Sequence, residues 1–176
     1  MRYLLPVFII LLLIPCDLFS QLDTVHYIPP LHSRKNPQVK QHYLYISTPS
    51  SIPFLLTIED GAGNVLATAN ISDAAPYIYT IGTTQNTSSK AFVPSNYLNT
   101  VLTNKGFKVY ASGPFYVSLR VRAVSQAECL TSKGTAALGT EFRYGGFPQF
   151  SNSGGTTDRN FTAGIMATED NTTVTI

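Results

Sequence analysis

The sequence predicts an all-β fold, an antiparallel sandwich or β-meander module of short strands. Three observations carry the prediction. Apolar residues recur at a period of two, most clearly at Phe115, Val117, Leu119, Val121 and Ala123, and no stretch sustains the helical period of about 3.6 residues. Runs rich in Val, Ile, Thr, Tyr and Phe are short, as strands are. Between them stand Gly, Pro, Asn and Asp, which set the dihedrals of tight turns.

The first twenty residues stand apart from this pattern. Met1-Arg2 gives a positive end, an apolar run extends from Tyr3 to Pro15, and Leu18-Phe19-Ser20 forms a short exit before Gln21. That is the anatomy of an export signal. The run falls short of the roughly 20 apolar residues of a spanning helix and is interrupted by Pro6 and Pro15. Residues 1–20 are therefore read as a signal peptide cleaved between Ser20 and Gln21, leaving no stable transmembrane anchor. Lipidation of Cys16 is the alternative, with Pro15 standing where that signal has a small residue. Export predicts a secreted or cell-surface protein.

Residues 21–40 form a Pro-rich lead-in. Ile28-Pro29-Pro30-Leu31 and Asn36-Pro37 block helices and central strands. An extended strap across a sheet edge fits this composition.

Residues 41–176 are read as the β module. Candidate strands are 41–47, 53–59, 65–71, 77–81, 107–111, 115–123, 161–168 and 172–176. In the segment 115–123 the apolar residues alternate with Tyr116, Ser118, Arg120 and Arg122, so one face is core and the other is wet. Asp60-Gly61-Ala62-Gly63-Asn64 joins two strands as a hairpin loop, and Ser112-Gly113-Pro114 breaks another pair. Glu169-Asp170-Asn171 closes a last hairpin. Val174 and Ile176 still alternate at the end of the sequence, from which a longer protein is expected, with the module incomplete at this end.

Charge and cysteine content narrow the function. Twelve basic and ten acidic residues give a net charge of +2, too little for electrostatic capture of nucleic acid or an anionic membrane. After signal removal Cys129 is the single cysteine, so no intramolecular disulfide is available. His26, His32 and His42 lack the paired close spacing of a zinc site, and no base is placed beside Cys129. Gly134 to Thr140 has the glycines of a phosphate loop but Thr140 in place of its lysine. Glu59, Asp60 and Asn64, like Glu169, Asp170 and Asn171, are read as turn chemistry rather than calcium ligands. Asn70, Asn86, Asn160 and Asn171 each open an Asn-x-Ser/Thr acceptor pattern. No cofactor, metal or catalytic residue is expected.

Three segments carry a family resemblance: Ala111-Ser112-Gly113-Pro114-Phe115-Tyr116-Val117, the stretch from Leu130-Thr131-Ser132-Lys133-Gly134 through Leu138-Gly139-Thr140-Glu141-Phe142, and Ile165-Met166-Ala167-Thr168-Glu169-Asp170-Asn171-Thr172-Thr173-Val174. They resemble the amino-terminal domain of IgG-Fc-binding protein and its bacterial relatives, over a span from about Val39 to Ile176. The entry segment, Leu22 to His32, and the tail together resemble the start of large surface proteins of gliding bacteria, which typically continue through adhesion-like repeats to a carboxy-terminal sorting domain. The resemblance implies an extracellular binding or adhesion module, one that contributes to matrix contact or gliding. It carries over no catalytic residue. Vertebrate relatives lie among cysteine-rich modules that this chain lacks, so Fc binding is not implied.

The expected function is non-enzymatic adhesion to a protein or glycan at the cell surface or matrix. Arg120, Arg122, Arg143, Tyr144, Phe147 and Phe150 are the candidate contacts. A structural β spacer positioning distal domains is the alternative, and a secreted hydrolase a distant third.

Overall fold

The computed structural model describes residues 21–32, 39–82, 89–123, 127–145 and 163–176. Its elements in chain order are β1 (Asp23–Ile28), β2 (Leu31–His32), β3 (Gln41–Ser47), β4 (Phe54–Asp60), β5 (Val65–Ile71), β6 (Tyr77–Gly82), β7 (Phe92–Val93), β8 (Phe107–Arg122) and β9 (Ala127–Thr131). Helix among the described residues is confined to two 3-10 turns, Ser95–Tyr97 and Gly134–Ala137. The all-β expectation holds.

The main sheet is antiparallel and curled around β8. Its order is β5-β4-β8-β3-β6, with β1 and β9 also pairing β8. This order departs from chain order, so the sheet is not a simple meander. The first half of β8 lies between β4 and β1, with Val109 opposite both Ile58 and His26. The second half lies between β3 and β9, with Leu119 opposite both Leu44 and Leu130. One strand therefore belongs to two half-sheets.

The sequence predicted a break at Ser112-Gly113-Pro114, and the structure corrects it: β8 runs unbroken for 16 residues. The turn-forming residues make a corner instead. Opposite β1 the register slips, with Asp23 facing Phe115 but Val25 facing Tyr110, so β8 carries extra residues in a bulge that bends the strand. Proline is tolerated at a bulge because no ladder bond is required of its nitrogen. The Pro114 carbonyl accepts a 2.7 Å bond from Thr48 Oγ1. At Gly113 a Cβ would lie 2.7 Å from the Phe54 ring, which fills the inside of the bend.

Curling lets both half-sheets share one core. Leu44 and Ile46 of β3, Leu56 and Ile58 of β4, Ile71 of β5, and Phe107, Val109, Phe115, Val117 and Leu119 of β8 form a single buried cluster. These are the alternate residues of their strands, as period-two burial demands. Tyr79 of β6 meets Phe107 edge-on at 6.5 Å, joining the far strand of one half to the near end of β8.

The lead-in contributes strand as well as strap. Leu31-His32 pairs in parallel with Phe92-Val93, and β1 pairs only β8, at the sheet edge, before Pro29 and Pro30. Its inward residues His26 and Ile28 are buried. The strand β9 was not anticipated. Its five residues are all exposed, so its sequence carries no buried face for periodicity to reveal.

The hairpin loop at Asp60 to Asn64 forms as expected. Asp60 N–H donates to the Asn64 carbonyl at 3.0 Å and Gly63 N–H to the Asp60 carbonyl at 2.9 Å, with Gly63 at φ +80°. The terminal hairpin is a correction. The turn is present, with Asn171 at φ 59° and Thr172 Oγ1 donating to the Glu169 carbonyl at 2.7 Å. The described residues of 161–168 and 172–176 are not strands. Val174 and Ile176 are exposed, and with no apolar surface to cover, the alternation has nothing to bury.

Candidate functional site

Antiparallel register decides which side chains share the open face of the second half-sheet. Leu44, Ile46, Val117 and Leu119 point inward, so Gln41, Tyr43, Tyr45 and Ser47 of β3 point outward opposite Arg122, Arg120, Ser118 and Tyr116 of β8. On the flanks β6 adds Ile78 and Thr80, and β9 adds Ala127, Cys129 and Thr131. The result is a broad surface of tyrosine, arginine and neutral hydrogen-bonding groups.

Two ring contacts give this face its geometry. The Arg120 guanidinium lies over the Tyr45 ring, 4.3 Å from its centroid, a cation–π separation. Tyr43 meets Tyr45 edge to face, with centroids 6.1 Å apart. Both tyrosines are half-buried, while Arg120, Arg122 and Tyr116 are exposed. Rigid aromatic bodies thus support an arginine whose own freedom is reduced by stacking.

Charge distinguishes this face from its counterpart on the first half-sheet. There Glu59 and Lys108 stand in register on β4 and β8. Tyr110 donates to Glu59 Oε1 at 2.8 Å and Lys108 Nζ lies 5.3 Å from the Tyr110 ring centroid. That face carries both signs. On the arginine face none of the outward positions of β3, β6, β8 or β9 is acidic. Glu128, the acid of β9, pairs with Val121 and projects to the other side. The ion pairs of the described residues are Lys90–Asp60 and Arg143–Glu141, so Arg120 and Arg122 have no carboxylate partner among them.

Sequence reasoning named both arginines but not the contact between Arg120 and Tyr45 that organises them. The signal was present in Tyr43 and Tyr45, which alternate with buried His42, Leu44 and Ile46; what the sequence lacks is the register that puts β3 beside β8. Arg143 and Tyr144 lie on the exposed segment after the second 3-10 turn. Arg143 Nη2 donates to Glu141 Oε1 at 3.1 Å, and no hydrogen bond, ion pair or ring contact joins either residue to the sheet face among the described residues. Phe147, Phe150, Ser20, Cys16 and the acceptor patterns at Asn86 and Asn160 lie outside the described residues.

The remaining polar clusters are structural in geometry. Asp60 is buried and its carboxylate accepts from the Ala62 and Asn64 N–H groups, from Asn64 Nδ2, and from Lys90 Nζ at 2.7 Å. Burial pushes its carboxyl upward, but Lys90 and the loop donors together hold it below the usual carboxylate range. His26 Nε2 donates to the Phe115 carbonyl at 2.8 Å, and His42 Nε2 lies 3.3 Å from Ser89 Oγ. Burial lowers the proton affinity of both rings. Neither reaches solvent, so neither can meet a substrate. Asp23 fastens the loop after β9 back to β1, accepting from Thr135 N–H at 2.7 Å and from Thr135 Oγ1.

No helix of the described residues is long and apolar enough to cross a membrane. No family model, curated protein or solved structure matches the chain.

Proposed function

We propose that the chain is a non-enzymatic binding module of an exported or surface protein, and that the open face of β6, β3, β8 and β9 holds its partner. The observation that carries the reading is the pair of exposed arginines, Arg120 and Arg122, with no carboxylate on their face. A solvated strand normally mixes its charges, as the opposite half-sheet does. Stacked aromatics beside them supply rigid contact area of the kind that recurs at binding sites. The family resemblance read in residues 39–176 supports the same class, a module for adhesion at the cell surface or matrix.

The test is capture by immobilised glycans and matrix proteins, comparing the full chain with a variant in which Tyr43, Tyr45, Arg120 and Arg122 are all alanine. Selective capture that the variant loses supports the reading. Capture of nothing, together with unchanged surface attachment when an unrelated β domain of equal length replaces the module, refutes it in favour of a spacer.

A further inference from the structure

We infer that the arginine face takes an anionic polysaccharide, one whose sugar units carry carboxylates. This rests on the binding-module reading and names the chemistry of its partner.

Arg120 and Arg122 project from the same side of β8 two residues apart, about 7 Å along an extended strand. Neither side chain has a hydrogen bond or ion pair among the described residues, and the surrounding outward positions hold no acid. An anion arriving there displaces no intramolecular partner. Arg120 is also restrained: its guanidinium carbon lies 4.3 Å from the Tyr45 ring centroid, while its side-chain N–H donors, bonded to none of the described residues, are available for the two-pronged bond to a carboxylate. Ordering that is already present in the free protein is not lost on binding.

What surrounds the arginines favours a sugar polymer over the other anions. Gln41 lies opposite Arg122, Tyr43 opposite Arg120, and Thr131 of β9 opposite Ser118. These are neutral donors and acceptors, suited to hydroxyl groups on either side of a charge. Ser118 and Thr131 already stand 3.3 Å apart at their hydroxyls, a pair that a ligand hydroxyl can join. An acidic peptide competes for the same arginines and tyrosines, but the neutral hydroxyl and amide groups of Gln41, Ser118 and Thr131 between them favour sugar hydroxyls, and polyglutamate separates the two. Nucleic acid would need many more phosphate contacts than two arginines provide.

Cys129 supplies a local reporter. It is exposed and faces Arg120 across the β8–β9 ladder, so an occupant of the face shields its thiol.

The experiment titrates the full chain at low salt with polygalacturonate, dextran, a sulfated glycan, polyglutamate and single-stranded DNA, reading affinity by calorimetry and Cys129 alkylation by peptide mass spectrometry. The expected result is selective binding of polygalacturonate that slows Cys129 alkylation. Arg120→Ala weakens it about tenfold or more, as loss of a charge-assisted pair does. Arg120→Lys, which keeps the charge and loses the fork, recovers only part of the loss. Lys108→Ala, on the opposite face, changes nothing, and far-ultraviolet circular dichroism checks that each variant is folded. Equal or tighter binding of polyglutamate, DNA or the sulfated glycan overturns the inference. So does polygalacturonate binding that leaves alkylation or the Arg120 variants unmoved. Capture of dextran or a matrix protein lost in the fourfold alanine variant, yet indifferent to Arg120→Ala and Arg122→Ala, sinks the anionic inference and leaves the binding module standing. Failure of every ligand here and of the immobilised panel sinks both.

Discussion

Mild acidification is expected to destabilise the fold through two histidines in its core. His26 and His42 are fully buried. His26 Nε2 must donate to the Phe115 carbonyl, so a second proton would have to sit on Nδ1, which has no hydrogen-bond partner. His42 Nδ1 is in the same position, with the Phe92 ring edge-on at 5.4 Å. Burial holds both rings below the ordinary value of 6.5; the Phe115 carbonyl and Asp23 oppose this at His26 without reversing it. The unfolded chain therefore binds protons that the folded chain refuses, and stability must fall as pH drops below the unfolded value. Between about pH 7.5 and about pH 5.5 each ring contributes a loss of at most about 1.4 kcal/mol, so the two together set an upper bound of about 2.7 kcal/mol. Against a typical domain stability of about 5–15 kcal/mol, that is a sizeable share. The assay is urea unfolding followed by tyrosine fluorescence, since the chain has ten tyrosines and no tryptophan. The midpoint should move to lower urea with unchanged slope. His26→Leu and His42→Leu should each lower stability near neutrality and each remove about half of the pH dependence. A midpoint independent of pH across the window, or a double variant with the parental slope, would refute the reasoning.

Three further outcomes follow from the same packing. Asp60→Ala should cost about 2–3 kcal/mol near neutrality by orphaning the Ala62 and Asn64 N–H groups and the Lys90 ammonium. Because the folded Asp60 carboxyl lies below its ordinary range, its contribution is complete above the unfolded value of 3.8 and fades as pH falls through the folded one. Gly106→Ala should cost about 1–2 kcal/mol or more by thermal melting, since φ is +82° and a Cβ there would lie 2.9 Å from the Ile28 carbonyl. Phe107→Ala, emptying a position 1% exposed at the junction with Tyr79, should cost about 3–5 kcal/mol by urea titration.

Local patterning made most strands legible. Gln41–Ser47 and Val65–Ile71 appear where alternation and turn residues place them. The misreadings share a cause, which is that pairing partners lie outside any local window. Ser112-Gly113-Pro114 reads as a turn, but with β1, β4, β3 and β9 pairing its two flanks the strand bends there and continues. Ile165 to Ile176 reads as a hairpin, but turn chemistry without a surface to cover leaves only the turn. For the site, sequence marked Arg120 and Arg122 as the wet face of a strand. That Tyr45 lies beneath one of them depends on β3 pairing with β8, a strand far along the sequence, which composition cannot encode.

The position of β1 also sets the order in which the molecule can assemble. Its His26 bonds to Phe115, 89 residues further on, and its ladder runs along β8 alone. During synthesis the β4–β5 hairpin can close as soon as it emerges, but the first strand must wait for nearly the last. Such long-range pairing is slow because the closure entropy comes due before any contact forms. Until β8 has been made, β1 has no strand to pair with, so the curled sheet closes over its core from both ends of the chain at once and only late in synthesis.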